Sequence, residues 1–211
     1  PFPENATQLD IAASMNAAKD VGGDFYDFFR IDDDRIGFVI ADVSGKGVPA
    51  AIFMAVSRTL IRATGIRGVS PSECINYSNT LLEKESVNNM FVTVFYGIYN
   101  IKTGEVKYTN AGHNPPYVLK QNGTVERLPV TVNMAIGIFS DFEYQETTLQ
   151  LEPGDTLLLY TDGVTEAINP SEEECTEKRL EETLKKVSGQ TCQEIIDTIK
   201  ADVKTFADGK L

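Results

Sequence analysis

The chain has 211 residues, 42% of them hydrophobic, which suits one globular domain with a substantial core. A formal charge of −12 argues against non-specific nucleic-acid binding, which needs a basic face, but leaves cation binding open. No apolar run approaches the ~18 residues of a membrane-spanning helix, and there is no signal-peptide pattern.

The first strand-like segments are Leu9–Met15, Phe25–Ile31 and Arg35–Asp42, the last two joined by the turn-like cluster Asp32-Asp33-Asp34. Gly47–Ala63 reads as a helix whose apolar positions Ala51, Met54, Ala55 and Leu60 roughly keep a helical spacing. A second helix starts at Ser70-Pro71-Ser72-Glu73, a capping box with proline in the first helical position, and would bury Ile75, Ser78, Leu81 and Leu82. Then the period shortens. Phe91–Ile101 and Glu105–Asn110 are β-rich and flank a turn containing Lys102-Thr103-Gly104. Pro116–Lys120 and Thr124–Leu128 flank Asn122-Gly123, a strong hairpin signal, and Tyr144–Leu151 and Thr156–Tyr160 flank Pro153-Gly154. The tail returns to helix at Arg179–Lys186 and Thr191–Phe206. The latter has a capping box at Thr191 and Glu194 and an apolar stripe of Ile195, Ile199, Val203 and Phe206. Helices gathered in two blocks around antiparallel-looking strands predict an α+β domain of sheets covered by helices, one domain over residues 1–211. Three scattered cysteines, Cys74, Cys175 and Cys192, point to a reduced, cytoplasmic setting and no zinc cluster. The chain opens at Pro1 without a methionine, so it is expected to be cut from a longer regulatory protein.

Three times an aspartate stands beside glycine, next to or at the end of a strand-like run: "DVGGDFYDFF", "GFVIADVSGKGVP" and "DTLLLYTDGVTEA". Hard cations such as Mg²⁺ or Mn²⁺ take oxygen ligands, and two of them about 4 Å apart can act together on a phosphate. Carboxylates on separate rigid segments with glycine neighbours suit such a site. Singly, each of Asp24, Asp42 and Asp162 is better explained as turn chemistry; the constellation of three is what points to metal. The blander readings are kept for the other residues. Asp27 falls on the strand face opposite Asp24 and is expected to support a turn, His113 in "AGHNPP" to be a structural hydrogen-bonder, Asp20 a turn or supporting residue, and Glu166 a loop-orienting one. Lys46, between Gly45 and Gly47, is not part of a P-loop, because the full spacing is absent.

The blocks "VGGDFYDFF", "IADVSGKGVPAAIFMA", "MFVTVFYGIYN", "YTNAGHNPPYVL" and "LEPGDTLLLYTDGVTEA", in this order, resemble the SpoIIE-like (RsbU-type) branch of the PPM metal-dependent serine/threonine protein phosphatases. The resemblance runs from about Leu9 to Phe206. It implies a β-sandwich flanked by helices on both faces and a phosphatase using two Mn²⁺ or Mg²⁺ ions. By motif, Asp24, Asp42 as the bridge, the Val43 carbonyl and Asp162 would hold the ions. A bridging water would attack phosphorus directly. A fourth metal aspartate and a last strand, usual in the family, would begin where this chain stops at Gly209-Lys210-Leu211, so one ion is expected to be weak or absent here. Ser44 stands where many relatives place a histidine as general acid. Lys19, five residues before Asp24, stands near the place of a phosphate-binding arginine, and Lys46 is a second candidate for phosphate.

The resemblance further implies a phosphorylated anti-sigma factor antagonist as substrate and an upstream sensor or receiver domain, with a homodimer or a membrane-anchored sensor as variants of that arrangement. Gly45 and Gly47 are the candidate hinge through which the following helix would control the site. The competing reading is a non-catalytic regulatory module that keeps the fold and binds a partner.

Overall fold

A computed structural model of the chain describes residues 9–16, 22–85 and 89–208. Its strands are β1 (Phe25–Arg30), β2 (Arg35–Val43), β3 (Val92–Asn100), β4 (Glu105–Ala111), β5 (Tyr117–Leu119), β6 (Val125–Arg127), β7 (Thr147–Gln150) and β8 (Thr156–Leu158), and its α-helices are α1 (Val48–Gly65), α2 (Pro71–Glu85), α3 (Thr176–Leu184) and α4 (Cys192–Phe206). The backbone gathers into two compact units. Among the described residues the first holds 22–85, 89–113 and 130–151, and the second 9–16, 114–129 and 152–208.

The first unit is built on a five-stranded antiparallel sheet in the order β1-β2-β3-β4-β7. Strand alternation sorts its residues onto two faces. Phe25 and Phe29 of β1, Val39, Ala41 and Val43 of β2, and Val92, Val94 and Tyr96 of β3 share one face, where they form a single core cluster with Ala50, Phe53 and Ile61 of α1 and Cys74, Ile75 and Leu82 of α2. The capping box at the start of α2 is formed: Glu73 N donates to Ser70 Oγ at 3.3 Å and Ser70 N to Glu73 Oε2 at 3.0 Å.

One expectation fails in this unit, that for Asp27, and the inner side of α1 lies on residues that spacing did not single out. The buried stripe of α1 runs through Ala50, Phe53, Ser57, Ile61 and Thr64, while Ala51 is half-buried and Ala55 exposed. Apolar residues occupy both sides of this helix, and Val48 and Ile52 are 67% and 61% exposed, so periodicity alone did not mark the inner side. Asp27 supports no turn. It is buried on the helix face of β1, with Arg62 Nη1 2.8 Å from each carboxylate oxygen and Arg58 Nη2 3.3 Å from Oδ2. The Arg62 guanidinium also lies 5.2 Å from the Phe29 ring centroid, a cation–π position. A carboxylate buried in an apolar layer must be paired, and these arginines do so while tying α1 to β1.

In the second unit, β5 is the centre of a three-stranded sheet, β6-β5-β8, with antiparallel pairing on both sides. Tyr117, Leu119 and Tyr160 form its core with Leu180 and Leu184 of α3 and Ile195, Ile199 and Val203 of α4. Arg179 holds Asp202 through two bonds of 2.9 and 2.8 Å, joining α3 to α4, and the Thr191–Glu194 capping box opens α4. Residues 9–16 are not the expected strand. Asp10 Oδ2 accepts from Cys192 N at 2.7 Å at the start of α4, and Lys200 Nζ donates to Ser14 Oγ at 3.0 Å. The segment is held by helix-end and side-chain bonds instead of by a neighbouring strand.

The Asp27 pairing yields a stability test. Arg62→Met, which keeps the aliphatic stem but takes the closer of two arginines from a buried carboxylate, is expected to cost about 1–3 kcal/mol in urea unfolding. Arg30→Met, which removes a partner of Asp33 at the solvent-exposed turn, should leave the midpoint essentially unchanged.

Candidate metal centre

The β1–β2 register sets the site. Phe25 pairs with Ala41 and Tyr26 with Ile40. The alignment continues past the start of β1, since a Cβ added to Gly23 would come 2.8 Å from the Val43 carbonyl oxygen and 3.2 Å from the Val43 Cβ. Gly23 therefore lies beside Val43, and Asp24 beside Asp42. On the far side of β2, Asp42 pairs with Thr93 of β3. Asp24, Asp42 and Thr93 thus form a row across three strands, on the sheet face opposite α1 and α2, and all three are half-buried. Only glycine at position 23 allows so close an approach to Val43.

The chain leaves β2 through Ser44, whose amide donates to the Phe91 carbonyl at 2.9 Å and whose hydroxyl accepts from the Phe91 amide at 2.9 Å. Ser44 thus pins the end of the sheet. Gly45 and Gly47 follow with φ of 92° and 77°, left-handed values that side chains adopt only under strain. Gly47 is the N-cap of α1 and Lys46 is exposed between the two glycines. Lys19 and Asp20 lie outside the described residues.

Asp162 belongs to the second unit. It opens a 3₁₀ turn, Asp162–Val164, and its carbonyl accepts from Thr165 N at 2.8 Å and Glu166 N at 2.7 Å. The strand end before it is steadied by Tyr160, buried and stacked on Tyr117 at 5.8 Å between centroids. The Asp162 charge first, and burial second, hold the Glu166 carboxyl above its ordinary range. A negative field strong enough to do that also attracts cations.

Among the described residues, no group of three or more His, Cys, Asp or Glu side chains could hold a metal ion. What the structure brings together is the pair Asp24 and Asp42, with the Val43 backbone at its edge. Carboxylate and carbonyl oxygens suit a hard divalent ion that keeps several waters, and do not suit zinc. Like charges at opposed strand positions repel, and a cation between them reverses the sign of that interaction. The donor set therefore fits Mg²⁺ or Mn²⁺.

Thr93 is the residue at this site that the sequence did not single out. Within "MFVTVFYG" it reads as an ordinary strand residue, and only the β2–β3 register sets it opposite Asp42.

The family model described as Stage II sporulation protein E (SpoIIE) matches residues 32–211. The chain belongs to the SpoIIE family. This is the SpoIIE-like branch of the PPM phosphatases, as the motif resemblance implied. Protein IcfG of Synechocystis sp. (strain PCC 6803) is 34% identical, over 97% of this chain and 36% of that protein. Phosphoserine phosphatase RsbU of Bacillus subtilis is 35% identical, over 75% of this chain and 47% of RsbU. The chain thus spans between a third and a half of the length of these relatives. The solved PP2C phosphatase domain of SpoIIE from Bacillus subtilis, with a fragment of its regulatory domain, matches with a TM-score of 0.78 at 23% identity, over 90% of this chain and 55% of that one. The α+β phosphatase fold expected from the element order is therefore the fold of this SpoIIE-family chain, and phosphatases of this type are Mg²⁺- or Mn²⁺-dependent.

Gly23→Ala tests this geometry directly. The added methyl would push the start of β1 away from Val43 and separate Asp24 from Asp42. Mn²⁺ affinity measured by titration calorimetry is expected to fall at least about tenfold, with the circular dichroism spectrum unchanged.

Proposed function

We propose that this domain is a metal-dependent protein serine/threonine phosphatase acting on a phosphorylated regulatory protein. The observation that carries the proposal is the pair of carboxylates, Asp24 and Asp42, set side by side on paired strands next to the Val43 backbone. Family membership and the phosphoserine phosphatase named among its relatives support the same reaction class.

In this reading Asp24, Asp42 and the Val43 carbonyl hold divalent ions, and Asp162 is assigned the same role by its Thr-Asp-Gly motif. Two Mn²⁺ or Mg²⁺ ions bound there would supply an activated water and neutralise phosphate charge. Water would attack phosphorus and give up a proton as the bond from phosphorus to the serine oxygen breaks, and that oxygen would take up a proton to leave as the serine hydroxyl. No phosphoenzyme forms, since the attacking oxygen comes from water. Ser44 is an anchor for Phe91 in this scheme, and its hydroxyl does not serve as the general acid. Lys46 lies on the exposed turn next to Val43, where its charge can meet a substrate phosphate; Lys19 is assigned to phosphate by its spacing from Asp24.

The substrate class follows from the family resemblance: a phosphorylated anti-sigma factor antagonist, with an upstream sensor or receiver domain, or a second copy, delivering the signal. Gly45 and Gly47 would serve as the hinge. Both take left-handed φ values in open space, so a rotation of α1 is absorbed there and reaches Lys46 and the Val43 carbonyl first.

Mn²⁺ should support hydrolysis of a phosphoserine peptide by the intact protein, and EDTA should abolish it. Activity that survives thorough chelation would refute the metal mechanism. Asp42→Asn is expected to lower kcat by about 10²-fold or more with the melting temperature preserved, because a neutral amide cannot hold dications as a carboxylate does. A folded and fully active Asp42→Asn protein would remove Asp42 from the site.

A further inference from the structure

We propose that Thr93 and His113 are a positioning pair for the Asp42 side of the metal centre. The inference rests on the reading of Asp42 as a metal-holding residue, and adds to it two residues outside the aspartate motifs.

His113 is the only histidine in the chain and is 5% exposed, two residues past the end of β4. One side chain clamps both of its main-chain groups. His113 N donates to Asn110 Oδ1 at 2.8 Å, and Asn110 Nδ2 donates to the His113 carbonyl at 3.0 Å. The Asn110 carbonyl is itself engaged, accepting from Thr131 Oγ1 at 2.7 Å. Buried bonds of this kind fix a main chain in place, and here they fix where the imidazole stands.

The ring Nδ1 stands 2.9 Å from Thr93 Oγ1. Thr93 is paired with Asp42 across the β2–β3 ladder, and its hydroxyl lies 3.5 Å from the Asp42 carbonyl oxygen. A hydroxyl has one proton to give. When Thr93 gives it toward the Asp42 carbonyl, it accepts from Nδ1–H, and this selects the imidazole tautomer with the proton on Nδ1. The relay runs from the Asn110 clamp to the ring, from the ring to the Thr93 hydroxyl, and from there to the backbone of Asp42. Opposed residues in an antiparallel pair also bring their Cβ atoms within about 5 Å on one face. The held hydroxyl is therefore one cross-strand step from the Asp42 side chain. Removing outer-shell groups that orient a ligand in this way typically costs about 10–100-fold in metal affinity or activity. A solely structural link between β3 and the loop after β4 would need only the Asn110 bonds. It would not need the ring aimed at the β3 residue that is paired with Asp42.

The test uses the intact protein. Thr93→Val keeps shape and strand propensity but removes the hydroxyl, and Thr93→Ser restores it. His113→Leu fills the volume without a polar atom, and His113→Asn places an amide nitrogen near the position of Nδ1. Mn²⁺ affinity is read by titration calorimetry without turnover, and kcat and KM are read on a phosphoserine peptide. Thr93→Val and His113→Leu should each weaken Mn²⁺ binding and lower kcat by about 10–100-fold with KM little changed. Thr93→Ser and His113→Asn should recover most of both. The double variant Thr93→Val/His113→Leu should bind Mn²⁺ no worse than Thr93→Val alone, because the two act along one path. If Thr93→Val and His113→Leu lower only the melting temperature while Mn²⁺ affinity stays at the wild-type value, the pair is structural and the inference falls, with the phosphatase reading intact. If the wild-type protein hydrolyses no phosphopeptide, the phosphatase reading fails instead, and the Mn²⁺ titrations still decide the role of the pair. Should His113→Leu fail to fold, the contrast between Thr93→Val and Thr93→Ser decides it.

Discussion

Everything at the candidate site depends on the pairing register of β1, β2 and β3. Side chains alternate along a strand, so a slip of one residue would carry Asp24 and Asp42 to the helix face and turn Phe25 and Ala41 away from it. The register is pinned mainly from the apolar side. Phe25, Phe29, Val39 and Ala41 are buried against the helices, and no pairing slipped by one residue keeps all four there. The Asp32-Asp33-Asp34 turn adds a local pin, with Asp32 Oδ1 accepting from the amides of Asp34 and Arg35 at 3.0 and 2.8 Å. The polar row of Asp24, Asp42 and Thr93 is a consequence of how the opposite face packs.

The two faces of these strands handle carboxylates differently. Asp27 is matched on the helix face by Arg62 and Arg58, so its charge is neutralised within the fold. On the other face, Asp24 and Asp42 stand side by side at neighbouring strand positions, where a divalent cation would offset the repulsion between like charges. Local repulsion of this kind, on a backbone rigid enough to maintain it, is characteristic of a binding site rather than of a structural ion pair.

The sequence carried most of the fold because its signals were local. Capping boxes at Ser70 and Thr191, the Asn122-Gly123 hairpin and the alternation along β2, β3 and β4 all lie within short windows, and each appears in the structure. What failed required distant partners. Residues 9–16 are held by α4, 182 positions away at the Asp10–Cys192 bond, and nothing in the segment shows that. The arginine that matches Asp27 is 35 positions on, so a buried ion pair read as a turn. Asp24 and Asp42 were legible as candidates because glycine neighbours mark them, but their adjacency is a property of strand pairing. Thr93 carries no motif, and a single histidine in a Gly/Pro-rich turn gives no hint that it faces a strand residue two elements earlier.

The same pairing limits how any movement of α1 can reach the metal centre. Asp42 lies in a strand paired on both sides, with β1 and with β3, whereas Asp24 precedes the edge strand β1. Beyond Asp42 come Gly45 and Gly47, both with left-handed φ values, the residues proposed as the hinge. A second connection runs through Asp27, since Arg58 and Arg62 grip β1 three residues from Asp24. Helix α1 therefore touches the site at two ends, by a soft turn to the Val43 carbonyl and by an ion pair to the strand that leads from Asp24. A rotation of α1 would be taken up by the glycines on the first route. On the second it would pull on a strand whose one sheet neighbour among the described residues is β2, which makes Asp24, and not Asp42, the carboxylate more easily displaced.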